Sequence, residues 1–497
     1  MVQNSRKSVK NEYLCFDMNA ATHSSRSGVA WSAIERFSIQ GSQFVVSLIV
    51  ARMLLPEDYG LIAMMSIFIA LSTSLIDSGL AQAIIQRRER TERDLTTALI
   101  FNVVISVAIY AVIYMCAPLI ARFYGASELT SVARVYSIVL IVNSLTVVQQ
   151  ALIAIDLDFR RQAVATLSGV VIGGALAIWM AWQGFGVWAL VAQQIAAGVV
   201  TALLLWVMSP WRPRGEFSFE ALRGLSRFGS RIMLSGLLHL LYTNLYTVII
   251  GRYFAPAALG LYNRATTISA LPSSNISTIV DRALYPVLCR EQGDREAAAQ
   301  ILLQHLRMVC FVVFPLMVGI SLTAAPLVEV LLGERWMAVV PLLQGVAVAN
   351  MWDPVMKFMG SAIRSQGRSG DFLRAEVLKK LCGVTILVAT LPLGVVAMCW
   401  GLLLYALFDM AIVIFFSRRV TRSLGYINIA SELLPTLLLT AVMGGALWLL
   451  GGYLQSFGSA LQLAVAFVVG AAIYITLAVV VGRPETKIIM KTLKSNR

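Results

Sequence analysis

The 497-residue chain is 58% hydrophobic and 13% charged, which is about half the charge of a typical soluble domain. So few polar side chains cannot cover a water-exposed surface, which excludes a cytosolic enzyme, a disordered chain and a disulfide-stapled secreted module. Its 40 Lys and Arg against 26 Asp and Glu give a net charge of +14, which is also typical of proteins that bind nucleic acid.

Runs of about 20 mostly apolar residues predict transmembrane helices, and about 14 such spans follow one another along the chain. In chain order the predicted spans are 31–52, 60–84, 95–116, 131–154, 162–182, 186–208, 229–252, 260–284, 305–326, 337–360, 376–392, 394–417, 432–451 and 459–482. The first 28 residues are polar and basic, so no signal peptide is expected there. The sequence therefore predicts an all-α integral membrane protein.

The distribution of basic residues supports this count. When a residue at the edge of a span is counted with the adjoining loop and the N-terminus lies in the cytoplasm, 32 of the 40 Lys and Arg are cytoplasmic and five belong to outer loops. Lys379, at the start of the span 376–392, is one of the 32. The remaining three, Arg36, Arg264 and Lys357, lie within spans. One missed span would exchange the sides of all later loops, so this contrast predicts an even number of spans and two cytoplasmic termini. Topology then accounts for the net charge, and no nucleic-acid partner is expected.

The loops and the rare residues predict neither an enzyme nor a cofactor. The longest connections, about 209–228 and 285–304, are too short for a folded domain, and no GxxxxGK[ST] phosphate loop occurs. Six cysteines without a close pair and three histidines predict no disulfide framework and no metal site.

One motif occurs twice, as Arg52-x-x-x-Pro56-x-x-x-Gly60-Leu61 and, 200 residues later, as Arg252-x-x-x-Pro256-x-x-x-Gly260-Leu261. A second pair, Ala117-Pro118-Leu119 with Gly125 and Ala325-Pro326-Leu327 with Gly333, is offset by 208 residues, and extra residues near 290–300 would absorb the difference. A single match could be local chemistry, since Arg snorkels and Pro opens a helix. Two matches in order favour a six-plus-six duplication in parallel orientation, with a substrate site between the halves.

The duplication predicts how the chain is organised. We expect a cytoplasmic tail (1–28), an N-lobe of spans 1–6 (29–208), a cytoplasmic linker (209–228), a C-lobe of spans 7–12 (229–417), spans 13–14 (418–482) and a second cytoplasmic tail (483–497).

The repeated motif, the spans and the basic inner loops resemble the polysaccharide-exporter branch of the multidrug/oligosaccharidyl-lipid/polysaccharide superfamily, which includes Wzx-type flippases and the colanic-acid and succinoglycan exporters. The resemblance covers about residues 28–482. It implies two six-helix lobes around a central cavity, an added C-terminal helix pair, and transfer of an undecaprenyl-diphosphate-linked oligosaccharide across the bacterial inner membrane by alternating access. A polysaccharide polymerase and a chain-length regulator are the protein partners it suggests, beside membrane lipids.

Polar side chains inside the spans share helix faces, which indicates where a cavity would lie. Arg36, Arg264 and Lys357 are the candidate substrate-binding residues, because guanidinium and ammonium groups attract a diphosphate or acidic sugars. The candidates for ion coupling or charge pairing are Asp77, Asp281, Asp353 and His239.

Structural roles compete with these functional ones. Asp353 and Lys357 are four residues apart, so they can simply neutralise each other on one helix. Arg36 lies near the cytoplasmic end of its span and can be a topology signal. His239 can be an interhelical hydrogen bonder instead of a proton carrier. Asp77 and Arg264 have no opposite charge within two turns of their own helices.

Two other functions remain open at this point. A drug or cation antiporter of the same superfamily usually has twelve spans and an acidic cavity, whereas cations are at least as prominent as anions within these spans. A membrane-embedded polysaccharide polymerase or ligase generally uses a large outer loop, and the outer loops here are short.

Overall fold

In a computed structural model, the described residues are 38–486 apart from 78–79, 87–89, 157, 224–236, 238–239 and 455. They divide into two units by their contacts, with the boundary between Ala257 and Ala258. Helices make up the regular structure of these residues, and no strand occurs among them. The predicted all-α class is confirmed.

Beside short helical stretches at 219–223 and 240–243, ten helices of the first unit are numbered here. They are α1 (residues 38–53), α2 (Pro56–Asp77), α3 (Leu80–Gln86), α4 (Glu92–Tyr124), α5 (Leu129–Tyr136), α6 (Ile138–Ser144), α7 (Val147–Asp156), α8 (Phe159–Trp182), α9 (Val187–Met208) and α10 (Leu245–Tyr253).

Local sequence explains where α4 begins and ends. Thr91 Oγ1 accepts a hydrogen bond from the Asp94 amide, and Asp94 Oδ2 accepts one from the Thr91 amide, which forms a capping box. At the other end Gly125 has a φ of +70°, a left-handed conformation that favours glycine. The helix therefore extends beyond the predicted span 95–116 at both ends.

The repeated motif has the same local structure in both copies. α1 ends at residue 53 and α2 begins at Pro56; 200 residues later α10 ends at Tyr253 and the next helix begins at Pro256. Proline suits the first position of a helix because the amide it lacks would have no intrahelical partner. The motif is thus a helix–turn–helix corner that occurs twice.

The predicted span 131–154 is wrong as a single helix. The chain forms α5, α6 and α7 there, with a bend of 40° between residues 129–144 and 147–156. Ser137 Oγ donates to the Ala133 carbonyl and Thr146 Oγ1 to the Asn143 carbonyl. Hydroxyls that bond to carbonyls of their own helix compete with its ladder and bend it.

The first unit extends past residues 209–228, because α10 packs against α2 and α4. Gly60 permits this packing, because it lies directly against the backbone of Pro256, which is also part of the unit. The division into an N-lobe, a linker and a C-lobe stays a prediction.

Nine α-helices make up the second unit within its described residues, and the first of them begins two residues before the boundary. They are α11 (Pro256–Arg290), α12 (Arg295–Leu322), α13 (Ala324–Leu331), α14 (Val340–Asn350), α15 (Asp353–Ser365), α16 (Ser369–Thr390), α17 (Val395–Ser417), α18 (Tyr426–Leu454) and α19 (Ser459–Val480).

The inner loop predicted at 285–304 is mostly helical. α11 continues to Arg290, and α12 begins at Arg295, where Asp294 accepts hydrogen bonds from the Glu296 and Ala297 amides. The first turns of α12 combine three Ala residues with Arg295, Glu296 and Gln300, which favour a helix while keeping the hydropathy of the segment low. The apolar pattern therefore located the later part of α12 and missed its first ten residues.

Apolar side chains of α12, α15, α17 and α18 form the main core of the second unit. Its largest fully buried members include Phe314 and Phe358. The C-terminal helix pair packs on this unit: Tyr474 of α19 donates from its hydroxyl to the Phe311 carbonyl of α12 at 2.9 Å. Because α18 and α19 contact α12, the added pair belongs to the second unit.

Eight helices of the described residues are long and apolar enough to cross a membrane, or nine if the bent segment α5–α7 counts as one span. The count of about 14 spans stays a prediction. Helices α11, α14, α15 and α16 are not among the eight. Three of them, α11, α14 and α15, carry the polar residues described next.

Candidate functional site

Polar side chains of α11 meet those of α14 and α15 in a continuous line, which we call the polar seam. Its members are Ser269, Ser273, Ser274, Thr278 and Asp281 of α11 with Asn350, Asp353, Lys357, Ser361 and Arg364 of α14 and α15. All of them lie within the second unit. Hydroxyl, amide and charged groups rarely occur together in an apolar helical protein unless they serve a function or satisfy one another.

A proline shapes the first part of the seam. The predicted span 337–360 is wrong as one helix: a 3₁₀ turn (Glu334–Val339) precedes α14, and the chain breaks between Asn350 and Asp353. Pro354 has no amide to donate to the carbonyl four residues earlier, that of Asn350. Ser273 Oγ donates to this carbonyl at 2.6 Å instead, and Asn350 Nδ2 donates to Ser269 Oγ at 2.9 Å.

Lys357 lies at the centre of the seam. Its Nζ is 2.9 Å from Asp353 Oδ2 and donates to Thr278 Oγ1 at 3.1 Å and Ser274 Oγ at 3.2 Å. The Lys357 side chain is 30% exposed and that of Asp353 is 24% exposed, so the pair is partly accessible. If an incoming anion replaced the Asp353 carboxylate, the Lys357 ammonium group would keep its hydrogen bonds to the two hydroxyls.

A second charged group lies two turns further along the same helices. Ser361 Oγ donates to Asp281 Oδ1 at 2.6 Å and accepts from Arg364 Nη2 at 2.8 Å, while Arg364 Nη2 is 3.9 Å from Asp281 Oδ2. The Arg364 guanidinium also lies over the rings of Tyr285 and Phe372, at 5.5 and 5.3 Å. Stacking and the Ser361 hydroxyl together fix this arginine in place.

Arg264 lies on α11 before the seam begins. Only 6% of it is exposed, and its guanidinium carbon is 5.8 Å from the ring centre of Trp336, which is fully buried. The seam itself holds two cations and two carboxylates, and Arg264 adds a guanidinium group on the same helix, α11. A guanidinium group suits an anionic ligand such as a phosphate.

The structure brings three of the predicted site residues together, since Asp281, Asp353 and Lys357 all belong to the seam. Asp77 lies in the first unit at the end of α2, where its Oδ1 atom is buried and accepts no hydrogen bond from the described residues. Arg36 and His239 fall outside the described residues.

Sequence reasoning missed the connecting hydroxyls and one buried ion pair. Ser273 and Ser361 complete the seam, yet a lone serine in an apolar span is too common to single out. Lys379 was counted among the cytoplasmic loop residues, but it is only 13% exposed on α16, with Nζ 3.1 Å from Asp409 Oδ1 and 2.7 Å from Glu376 Oε1. Asp409, a single acid in an apolar span, was the available signal.

Curated relatives cover most of the chain. The chain is 25% identical to the teichuronic acid biosynthesis protein TuaB of Bacillus subtilis (strain 168), over 97% of this chain and 100% of TuaB. It is 25% identical to the lipopolysaccharide biosynthesis protein WzxC of Escherichia coli (strain K12), over 76% of this chain and 77% of WzxC. It is 26% identical to the succinoglycan biosynthesis transport protein ExoT of Rhizobium meliloti (strain 1021), over 65% of each chain.

Solved structures share the fold. The lipid II flippase MurJ in an inward closed conformation matches with a TM-score of 0.73 and 13% identity, over 92% of this chain and 99% of MurJ. An inward-facing multidrug resistance MATE transporter of the MOP superfamily matches with a TM-score of 0.57 and 18% identity, over 77% of this chain and 95% of the transporter. These similarities show a multi-pass membrane fold.

A family profile described as polysaccharide biosynthesis protein matches residues 49–341. The match includes both copies of the repeated motif, all of α11 and the 3₁₀ turn that holds Trp336. Since it covers more than half of the sequence, this chain belongs to the polysaccharide biosynthesis protein family.

Proposed function

We propose that this protein moves a lipid-linked oligosaccharide across the bacterial cytoplasmic membrane as a step of polysaccharide export. The family match over residues 49–341 is the observation that carries the proposal. Relatives named for teichuronic acid, lipopolysaccharide and succinoglycan support a polysaccharide precursor as the cargo, and one of them is named a transport protein. The shared fold with a lipid II flippase agrees with transport of a lipid-linked sugar.

The polar seam is our candidate for the part of the second unit that handles the polar headgroup. Hydroxyl and amide groups suit sugar hydroxyls, while Lys357 and Arg264 would attract the diphosphate or acidic sugars, with Arg36 as a third contact. Without cargo, Asp353 holds Lys357 at 2.9 Å. An arriving phosphate would displace this carboxylate, and the carboxylate would later compete the phosphate away, so the same pair would serve binding and release.

The finer parts of the proposal follow the topology. The carrier lipid would be undecaprenyl diphosphate, both termini would be cytoplasmic, and two six-span lobes would alternate in access to the two leaflets. Asp77 and His239 are the candidates for ion coupling. A polysaccharide polymerase and a chain-length regulator would use the product on the outer side.

The family match favours this function over the two alternatives. A MATE-like antiporter has a related fold, but the relatives reported above are named for polysaccharides and not for drugs. A polymerase or ligase would form glycosidic bonds. The relative ExoT is named a transport protein, which favours transport over that activity.

The experiment is to delete the gene and locate the lipid-linked oligosaccharide by leaflet. We expect the intact intermediate to accumulate on the cytoplasmic face and to return to the outer face when the wild-type gene is restored. If deletion instead abolishes the lipid-linked sugar, the protein is an enzyme of its synthesis and the proposal is wrong.

A further inference from the structure

Arginines cluster at the short connection between α17 and α18. Together with the start of α18 they line an open cavity of about 500 Å³, which we call the arginine pocket. It consists of Arg418, Arg419, Arg422, Gly425, Tyr426, Ile427 and Asn428. The pocket lies far along the chain from the polar seam, and the proposed transport does not use it.

The neighbouring helices fix the depth of this pocket in the membrane. α17 and α18 are both long and apolar enough to cross a bilayer, and residues 418–425 join them. A short connection between two spans must lie where the hydrocarbon ends. The arginine pocket therefore faces the headgroup layer of the leaflet in which α17 ends.

Two of its three arginines have no carboxylate partner among the described residues. Arg419 Nη1 is 3.2 Å from Asp371 Oδ1, but Arg418 and Arg422 have no carboxylate within 4.0 Å among the described residues. The Arg418 guanidinium is positioned by stacking, 4.3 Å from the ring centre of Phe415 and 6.0 Å from that of Tyr426. Two positive charges without a carboxylate partner among the described residues consequently line one cavity, and stacking positions the first of them, Arg418.

The connection itself is fixed by a carboxylate that leaves these charges alone. Glu296 of α12 accepts hydrogen bonds from the Thr421 and Ser423 hydroxyls, the first at 2.7 Å. The loop geometry is thus set by hydroxyls and not by ion pairs with the pocket arginines. The charge that Arg418 and Arg422 carry is available for a ligand.

An apolar surface adjoins the cations. Ile427 is 84% exposed and Tyr426 is 41% exposed. Such exposed apolar surface is unfavourable in water but favourable in contact with lipid acyl chains. Cations next to an aromatic and an aliphatic side chain match the boundary between headgroups and acyl chains. A soluble anion such as inorganic phosphate would satisfy the arginines and leave Ile427 uncovered.

We infer that the arginine pocket binds the phosphate headgroup of an anionic phospholipid in that leaflet. Arg418 and Arg422 donate to the phosphate oxygens through their paired N–H groups, and Ile427 contacts the first part of an acyl chain. Basic residues at a membrane surface each contribute about fivefold in affinity for anionic lipid. The two arginines together should therefore contribute about thirtyfold.

The test measures phosphatidylglycerol retained by the purified full-length protein, using native mass spectrometry after titration in phosphatidylcholine nanodiscs. Arg418→Gln with Arg422→Gln should weaken retention about thirtyfold. Arg282→Gln with Arg290→Gln removes the same charge from other exposed arginines of the same unit and should leave retention unchanged. Arg418→Lys with Arg422→Lys keeps the charge, and should retain more lipid than the glutamine pair.

Two outcomes would overturn the inference. One is an equal loss of phosphatidylglycerol in the pocket variant and in the control variant, which would show a general effect of net charge. The other is full displacement of the lipid by millimolar inorganic phosphate, which would show a site for a free anion. Monodisperse elution of each variant establishes that it is folded, and the lysine pair provides the comparison if the glutamine pair is not.

Discussion

Lys357 and Asp353 form an ion pair one turn apart on α15, with 2.9 Å between Nζ and Oδ2. Both residues were singled out from the sequence, one as a substrate contact and the other as a charge partner. The structure shows that they contact each other, and it adds two hydroxyls from α11 to the same ammonium group. A purely structural pair and a pair that exchanges partners with cargo behave differently when the charges are reversed.

The first prediction uses that difference. Lys357→Gln and Asp353→Asn should each lower the free energy of unfolding by about 1 kcal/mol, since the pair is partly exposed. The double variant Asp353→Lys with Lys357→Asp restores opposite charges and should recover stability. Transport should not recover, because the cation has moved one turn away from Ser274 and Thr278. Thermal unfolding in detergent and polysaccharide export in the deleted strain are the two measurements.

Full recovery of export by the reversed pair would show that the two charges serve packing only. Lys357→Arg provides the matched control, because it keeps a cation near the same oxygens and should preserve more export than Lys357→Gln.

The second prediction concerns Ser361, which bridges Asp281 and Arg364. Ser361→Ala removes a hydrogen bond to each, and since bonds to charged groups contribute more than neutral ones, we expect a loss of about 2 kcal/mol in stability. Ser365→Ala is the control on the same helix, because the Ser365 hydroxyl donates only to the Ala362 carbonyl one turn earlier. Denaturant unfolding compares the two. Equal effects would mean that the bridge adds nothing.

The third prediction concerns Gly60 in the first copy of the repeated motif. A Cβ at this position would overlap the carbonyl of Pro256, so Gly60→Ala must displace backbone and should destabilise the protein by about 1–3 kcal/mol. Gly41→Ala is the control: Gly41 lies on α1, with no atom of the described residues within 4 Å of an added Cβ. Its replacement should stabilise the helix by up to about 1 kcal/mol. We expect the melting temperature to fall for Gly60→Ala and to rise for Gly41→Ala, relative to wild type. A Gly60→Ala protein as stable as wild type would contradict the close contact between Gly60 and Pro256.

The fourth prediction concerns the cluster of Lys379, Glu376 and Asp409, in which Lys379 and Asp409 are largely buried and Glu376 is partly exposed. Lys379→Met leaves two carboxylates without their cation, and loss of one partner from a buried pair costs about 3–5 kcal/mol. Asp409→Asn should cost less, because Lys379 keeps Glu376 at 2.7 Å. Expression level and unfolding temperature rank the variants. The reverse order would mean that Asp409, and not Lys379, holds the cluster together.

The helical class and the repeated corner at Pro56 and Pro256 could be predicted from the sequence, because hydropathy and proline act locally. Helix ends were harder to predict: α12 begins ten residues before its predicted span, because its first turns include Arg, Glu and Gln, which favour a helix but lower the hydropathy. Two predicted spans are broken, one where serine and threonine hydroxyls bond to their own helix and one at Pro354.

The candidate site was predictable in part. Helical phase grouped Asp281, Asp353 and Lys357 with other polar residues of their helices. In the structure Lys357 contacts Asp353, whereas Asp281 contacts Ser361 and Arg364 further along the seam. Helical phase does not show which helices are neighbours. The tertiary structure was therefore needed to find the hydrogen bond from Ser273 to the Asn350 carbonyl and the ion pair of Lys379 with Asp409.

Transport of a lipid-linked oligosaccharide by the purified protein is the most direct test of the proposed function. Liposomes carrying a fluorescent lipid-linked oligosaccharide are prepared with and without the protein, and a membrane-impermeant quencher reports how much label reaches the outer leaflet. The account predicts rapid transfer with the wild-type protein and transfer at least tenfold slower with Lys357→Gln, a change of about 1.4 kcal/mol. If liposomes that contain the wild-type protein transferred the lipid no faster than liposomes without protein, the proposed function would be contradicted.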